Sequence, residues 1–326
     1  MDVISKPRLS IGLPVYNGAD YLAQSLDSLL GQTYEDFELI ISSNASTDET
    51  DDICRAYAAR DPRVRFFSQP TNIGAVPNHY FVFEKATGEL FKWASGDDLY
   101  ARDLHARCIE RLDEHPEAIL AHAWTAAVDG EGTLIQAHEY PLATDSPRAP
   151  ERLHSLLFGG DDLPGAIRGD DFYGVIRSDV LRRVKFHDSY YHADQTFIAE
   201  LALHGPFQQV PEWLYFRRHH PGRAHQAKRT IRDWCSNLDP KRASRLRHPT
   251  VRLLGEYVWA HYDSVRRAPL TPEDRRECYR EISRWLASRA YRRLPGRSAP
   301  PEPAAINHIA SMVAVQAVVA GQPPSQ

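Results

Sequence analysis

The segment LSIGLPVYNGADYLAQSLDSLLGQTYEDFELIISSNASTDET, residues 9–50, decides the fold class. Two apolar runs, Leu9–Val15 and Phe37–Ile41, enclose a stretch in which Tyr21, Leu22, Leu26, Leu29 and Leu30 recur at helical spacing. It therefore reads as strand, helix, strand. The second run ends in the polar SSNASTDET, where Ser46 or Thr47 can cap a helix through Asp51, Ile53, Cys54 and Tyr57. Such a unit crosses over right-handedly and pairs its strands in parallel.

The pattern continues outward. Val64–Phe67 and Leu90–Ala94 read as strands, with a helix at Ala75–Lys85 ended by Gly88. The expected fold is α/β, a Rossmann-like and mostly parallel sheet flanked by helices. Ligands of such sheets sit beyond the carboxyl ends of the strands. The loops Pro14–Gly18, Ser42–Asp48 and Ser95–Tyr100 should thus converge on one crevice.

Ala118–Val128 continues the sheet, and the Pro-rich Pro141–Pro150 reads as a surface loop. FYGVIRSDVLRRV, HADQTFIAELALHG and FQQVPEWLYFRRHHPGR then form a second αβ stretch, in which Ile198, Leu201 and Ala202 mark a helix closed by Gly205. Beyond it the chain is mainly helical, apart from Pro295–Pro303. Ala304–Ala320 is apolar but carries Asn307, His308, Ser311 and Gln316. It is at or below the roughly 17 residues that span a bilayer, so it reads as a helix docked on the protein or on a second subunit. The expected division is a catalytic domain over 1–223, with a nucleotide part at 1–115 and an acceptor part at 116–223, and a helical extension over 224–326 through which a homodimer could form.

The 326 residues carry a formal net charge of −4, with 42% hydrophobic and 25% charged residues. There is no global basic field to hold nucleic acid, which excludes that class. Any anionic ligand must be held by local chemistry. The N-terminus lacks the pattern of a secretory signal, so the expected location is cytoplasmic, with peripheral membrane association open. Cys54, Cys108, Cys235 and Cys278 form no CxxC pair and read as buried thiols.

The opening segment, together with NIGAVPNHY and KWASGDDLY, resembles family 2 glycosyltransferases of the GT-A fold over about the first 115 residues. ADQTFIAELALHG and YFRRHHPG extend the likeness more loosely. The resemblance implies an enzyme that moves a sugar from a nucleoside diphosphate sugar to an acceptor hydroxyl.

The chemistry agrees with this. A nucleoside diphosphate leaving group develops negative charge, which Mn²⁺ or Mg²⁺ bridging its phosphates can neutralise. Such a cation is held by one or two carboxylates and the substrate's own oxygens. The family places an Asp-x-Asp motif where Asp97 and Asp98 follow Ser95 and Gly96, so one usual carboxylate is missing here. Asp97 is expected as the main metal ligand and Asp98 as a supporting one, unless Asp98 or Asp103 caps a helix starting near Arg102.

On the nucleotide side, Pro14 fixes the backbone, Tyr16 covers the base, Asn44 reads the base edge, and Asn78, Gly96 and Asp97 complete the pocket. Ser43 and Asn44 stand where the family often carries Asp, which leaves UDP, TDP and GDP donors all open. The resemblance makes Asp194 the general base, with helix capping as the competing role; Asp170, Asp171 and Asp188 are weaker candidates. It also puts Arg217 and Arg218 near the diphosphate or acceptor, and His219 or His220 in the metal shell. With no nucleophile evident, a single displacement with inversion is the simpler chemistry.

The acceptor, whether sugar, lipid-linked glycan or natural product, is not encoded legibly. A dehydrogenase is disfavoured because PVYNGAD stands where GxGxxG would. A sugar nucleotidyltransferase and an inactive nucleotide-binding homologue are the rival readings.

Overall fold

The computed structural model describes residues 6–137, 142–159, 170–186, 188–223 and 230–292. The segment 304–320 therefore lies outside the described residues. The chain opens with β1 (Leu9–Val15), α1 (Ala19–Leu30), β2 (Phe37–Ser43), α2 (Thr50–Arg60), β3 (Val64–Ser68), α3 (Ala75–Glu84) and β4 (Leu90–Trp93). Then come β5 (Leu99–Tyr100), α4 (Leu104–Glu114), β6 (Leu120–Val128), β7 (Leu134–Ala137), α5 (Ala149–Phe158), β8 (Val175–Arg177) and α6 (Ser178–Leu181). The described part closes with α7 (Ala193–His204), β9 (Phe207–Arg218), α8 (Ile231–Leu238), α9 (Thr250–Arg267) and α10 (Pro272–Arg292).

One sheet organises the molecule, in the order β3-β2-β1-β4-β8-β6-β9-β5, with β7 on β6. Its first four strands are parallel, as the βαβ reading requires. β8 runs antiparallel to both β4 and β6, and β6 returns to parallel pairing with β9. The sheet is mostly parallel with helices on its faces, and the C-terminal region is helical.

Every residue of β2 is buried, and all but one of β1, as expected for strands covered on both faces. Leu9, Ile11 and Leu13 pack in one core with Leu22, Leu26 and Leu29 of α1. Ile40, Phe91 and Trp93 pack on the opposite face with Val82 of α3 and Phe197 and Leu201 of α7. Gly12 permits that second layer. A Cβ there would come 2.7 Å from both Phe91 and Val82.

Two local expectations change. Neither Ser46 nor Thr47 caps α2, which starts at Thr50 with Asp48 Oδ1 accepting the Thr50 N–H at 3.1 Å. The Ser46 hydroxyl instead accepts the Asn17 N–H at 3.0 Å, and the Thr47 N–H goes to Asn17 Oδ1 at 2.8 Å. α3 ends at Glu84 with Lys85 as its cap, ahead of Gly88.

The C-terminal helices share a core with α5 and α7: Leu153 of α5 and Ala193, Ala199 and Leu203 of α7 pack with Tyr257, Val265, Ile282 and Trp285. Glu200 of α7 binds them directly, accepting from Ser264 at 3.1 Å and from Arg267 at 2.6 Å. Among the described residues no helix is long and apolar enough to cross a membrane.

Candidate active site

The loops after β1, β2 and β4 meet at the carboxyl edge of the sheet. The first two are laced together: besides the Asn17 contacts, the Gly18 N–H donates to Thr50 Oγ1 at 2.9 Å and the Ala19 N–H to Asp48 Oδ2 at 3.1 Å. Asn17 and Ala45 both adopt positive φ, at 49° and 59°, which these bonds support. The third loop is tied in by Ser25 Oγ donating to the Ser95 carbonyl at 2.9 Å, and Gly96 lies over Val15 and Leu22. Pro14 sits at the rim opposite Ser42, and Tyr16 stands half exposed beside it.

Asn44 and Asn78 lie at the base of the crevice. Both are buried and turned to protein partners. Asn44 Oδ1 accepts the Ile73 N–H at 2.8 Å while its amide donates to Asn72 Oδ1 at 3.1 Å and to the Gly74 carbonyl at 3.2 Å. The Asn78 amide donates to the Ser42 carbonyl at 2.9 Å, and its oxygen accepts from Ser42 Oγ at 2.6 Å. They shape the crevice by fixing the loop before α3 to the end of β2. A short polar side chain at a strand end serves a backbone as readily as a ligand, and spacing alone does not separate the two.

The acidic pair divides in the same way. Asp98 is fully buried. Its oxygens accept the Arg218 N–H at 2.8 Å, the Arg223 guanidinium at 2.6 and 3.2 Å, and the Tyr215 hydroxyl. With both oxygens held by protein donors, Asp98 is the buried anchor of Arg223, and Asp97 is the member of the pair that faces the crevice. Asp103 is the N-cap residue of α4 but makes no side-chain cap hydrogen bond, its carboxylate accepting from Thr33 Oγ1 at 2.8 Å instead.

Asp97 stays at the surface of the crevice, with 24% of its side chain exposed. Its Oδ2 lies 3.0 Å from His220 Nε2 and 3.3 Å from Arg223 Nη1, and its Oδ1 accepts from Ser95. Burial pushes its carboxyl up, but the Arg223 charge and the His220 and Ser95 hydrogen bonds outweigh that and hold it below the usual carboxylate range. Of the tandem histidines, His220 is the one brought to Asp97, its ring packed 4.6 Å from Tyr21. His219 continues the strand ladder, its N–H donating to the Val128 carbonyl at 2.7 Å.

Arg218 lies behind the Asp97 loop. It is fully buried, and its guanidinium donates to the Gly130 carbonyl at 2.6 Å, the Asp97 carbonyl at 2.9 Å and Gln24 at 2.8 Å. These bonds brace the Asp97 loop against the turn after β6 and against α1. Arg217 precedes it on β9, paired in register with Ala127.

Behind the site lies Lys92, buried in β4. Its ammonium donates to the Tyr173 carbonyl and sits 5.2 Å from the Tyr100 ring and 5.8 Å from Tyr215. Burial lowers its pKa to about 8, against a weaker upward pull from Cys108 and Asp98. Sequence reading passed over Lys92, Tyr215 and Arg223. A lone lysine inside an apolar strand was the available signal for the first, since buried lysines are rare unless they serve a purpose. For Arg223 the signal was the Pro-Gly turn that folds it back after the histidines.

Asp194 occupies the first turn of α7, after His192 in a left-handed conformation with φ 53°. Its Oδ1 accepts the adjacent Gln195 N–H at 2.9 Å, and His192, not Asp194, is the N-cap residue. Its charge reaches His79 on α3 and Tyr257 on α9, so it lies between α3 and the C-terminal helices. Among the weaker candidates, Asp171 is buried 3.4 Å from His122, and Asp188 pairs with Arg242 at 3.0 Å.

The sequence model described as "Glycosyl transferase family 2" matches residues 10–179, which carry β1 to β4 and the Asp97 loop. The chain belongs to glycosyl transferase family 2. This glycosyltransferase is 34% identical over 211 residues to an uncharacterized glycosyltransferase of Haemophilus influenzae, a match that takes in 60% of this chain and 80% of that protein. Its fold is similar to that of S. aureus TarS crystallised with UDP-GlcNAc, at TM-score 0.55 and 17% identity over 87% of this chain and 91% of that one. It is similar also to the mannosyltransferase PcManGT of Pyrobaculum calidifontis in complex with GDP-Man and Mn²⁺, at TM-score 0.52 and 17% identity over 98% and 82% of the two chains. The protein is thus a transferase, and the nucleotidyltransferase reading is not favoured.

Proposed function

We propose that this glycosyltransferase moves a sugar from a nucleoside diphosphate sugar to an acceptor hydroxyl with inversion, assisted by Mn²⁺ or Mg²⁺. The observation that carries the reading is the meeting of Asp97 Oδ2 and His220 Nε2 at 3.0 Å, at the carboxyl ends of β4 and β9. One carboxylate and one imidazole, both partly open to the crevice, suit Mn²⁺ once diphosphate oxygens fill the remaining positions. Asp97 and His220 would supply two ligands, with the donor's phosphate oxygens and water completing the set. Bound there, the ion would neutralise charge on the departing diphosphate.

The other steps fall to the chain's own groups. Tyr16 offers an exposed ring to the base, and the 72–74 loop held by Asn44 borders the pocket. Asp194, in the first turn of α7, accepts the acceptor hydroxyl proton as the oxygen attacks the anomeric carbon. Donors bound by the fold neighbours, UDP-GlcNAc and GDP-Man, support the class of donor and leave its base open between UDP, TDP and GDP. The test is a titration of UDP, TDP and GDP with and without Mn²⁺. At least one should bind tenfold or more tightly with the metal; equal binding of all three with and without it would refute metal assistance.

A further inference from the structure

Arg223 has a position that the transfer reaction does not explain. It follows His220 by three residues, only 12% of its side chain is exposed, and its guanidinium spans both carboxylates. Nη1 lies 2.6 Å from Asp98 Oδ1, 2.8 Å from the Arg218 carbonyl and 3.3 Å from Asp97 Oδ2. Nη2 lies 3.2 Å from Asp98 Oδ2. The Asp97 oxygen that meets His220 therefore already has a cation beside it.

The two ends of this contact are unequal. Asp98 is fully buried and further held by the Tyr215 hydroxyl and the Arg218 N–H, so Arg223 cannot leave it without stranding a buried charge. The contact with Asp97 is longer and lies at the open crevice, so it is the one that yields. A guanidinium cannot relieve repulsion by losing its proton. A free divalent ion approaching Asp97 and His220 thus meets the Arg223 guanidinium 3.3 Å from the Asp97 oxygen it needs, while the compensating Asp98 carboxylate is buried and held on Arg223. A nucleoside diphosphate changes the balance, because its several negative charges offset Arg223 and the ion together.

We propose that Arg223 is a built-in counter-cation that keeps a divalent ion off Asp97 until a nucleoside diphosphate arrives, making metal and nucleotide binding cooperative. This rests on the reading of Asp97 and His220 as metal ligands. Because coupling is reciprocal, the metal raises nucleotide affinity by the factor by which the nucleotide raises metal affinity.

The test measures Mn²⁺ binding directly, by the electron paramagnetic resonance signal of free Mn²⁺, in the full-length protein without nucleotide and with UDP, TDP or GDP. Arg223→Gln should bind Mn²⁺ alone at least tenfold more tightly than wild type, and nucleotide should then improve binding by a correspondingly smaller factor. Arg223→Lys keeps the charge and should bind Mn²⁺ alone as weakly as wild type. If Arg223→Gln does not fold, the double variant Asp98→Asn with Arg223→Gln removes one buried charge of each sign and should show a smaller gain that still exceeds wild type, because the cation removed is the one beside Asp97. Mn²⁺ binding no tighter in either neutral variant than in wild type would overturn the proposal. Asp97→Asn that binds Mn²⁺ as well as wild type in the presence of every nucleotide would overturn the ligand assignment, and the proposal with it.

Discussion

The side-chain oxygen of Asn44 lies 2.8 Å from the backbone nitrogen of Ile73, so a residue at the end of β2 fixes the loop that leads into α3. Gly74 ends that loop at φ 94°, where a Cβ would come 2.7 Å from the Leu238 carbonyl. The loop is thus trapped between Asn44 and the end of α8. Asn44→Ala should lower stability by about 1–3 kcal/mol, the usual effect of leaving buried partners unpaired, and should weaken nucleotide binding as the loop loosens. Urea denaturation and nucleotide titration check both parts. Unchanged stability with weakened binding would restore the direct base contact.

Asp97 and Asp98 should respond oppositely to substitution. Asp97→Ala should abolish transfer with little change in melting temperature, because the side chain borders the open crevice. Asp98→Ala should destabilise by about 3–5 kcal/mol, since it strands the Arg223 charge in a buried site. Thermal unfolding measured beside product formation separates the two, and full turnover by Asp97→Ala or in EDTA would refute metal assistance through this residue.

Asp194→Asn should reduce the transfer rate by about 10² or more with nearly constant donor affinity, because a base acts only in the transition state. The product's anomeric configuration, read by NMR coupling, should be inverted relative to the donor. Retention would exclude the single displacement, and a near-normal rate would shift the base role to another carboxylate such as Asp171.

Acid should loosen the C-terminal helices. His261 is buried between Tyr257 and Trp285, and desolvation lowers its pKa from 6.5 to about 4, against a hydrogen bond to the Tyr257 carbonyl that raises it. Between those values the unfolded chain takes up a proton that the folded chain refuses, so stability falls as pH drops from 6.5 towards 4. The loss attributable to this residue reaches about 3 kcal/mol, and His261→Phe should remove it. Denaturation of both proteins across that range checks the difference. Parallel pH profiles would remove His261 as the cause.

The βαβ half of the fold was legible because buried parallel strands are short apolar runs and their crossover helices keep a clean period; β1 was placed at its observed bounds. β8 and β5 were not separable in the same way. Strands of three and two residues carry too little pattern, and their pairing is set by distant partners on β6 and β9. Within the site, the position of the Asp97 loop was readable from the segment KWASGDDLY. The division of labour between Asp97 and Asp98 was not, because it depends on Tyr215, Arg218 and Arg223, which lie more than a hundred residues away in the chain. Asn44 illustrates the same limit, since its partners at 72–74 enter only through folding.

The four cysteines turn out to be gauges already installed in the protein. All are buried, and burial pushes the thiols up, to about 12 for Cys54, Cys108 and Cys278 and about 11 for Cys235. A thiol-directed reagent therefore reacts only after the surrounding structure opens. Cys54 and Cys108 sit on α2 and α4 against the sheet, while Cys235 and Cys278 sit on α8 and α10. Separate labelling rates for the two pairs would time how the molecule comes apart, telling whether its helical end peels away first or the whole chain opens in one event.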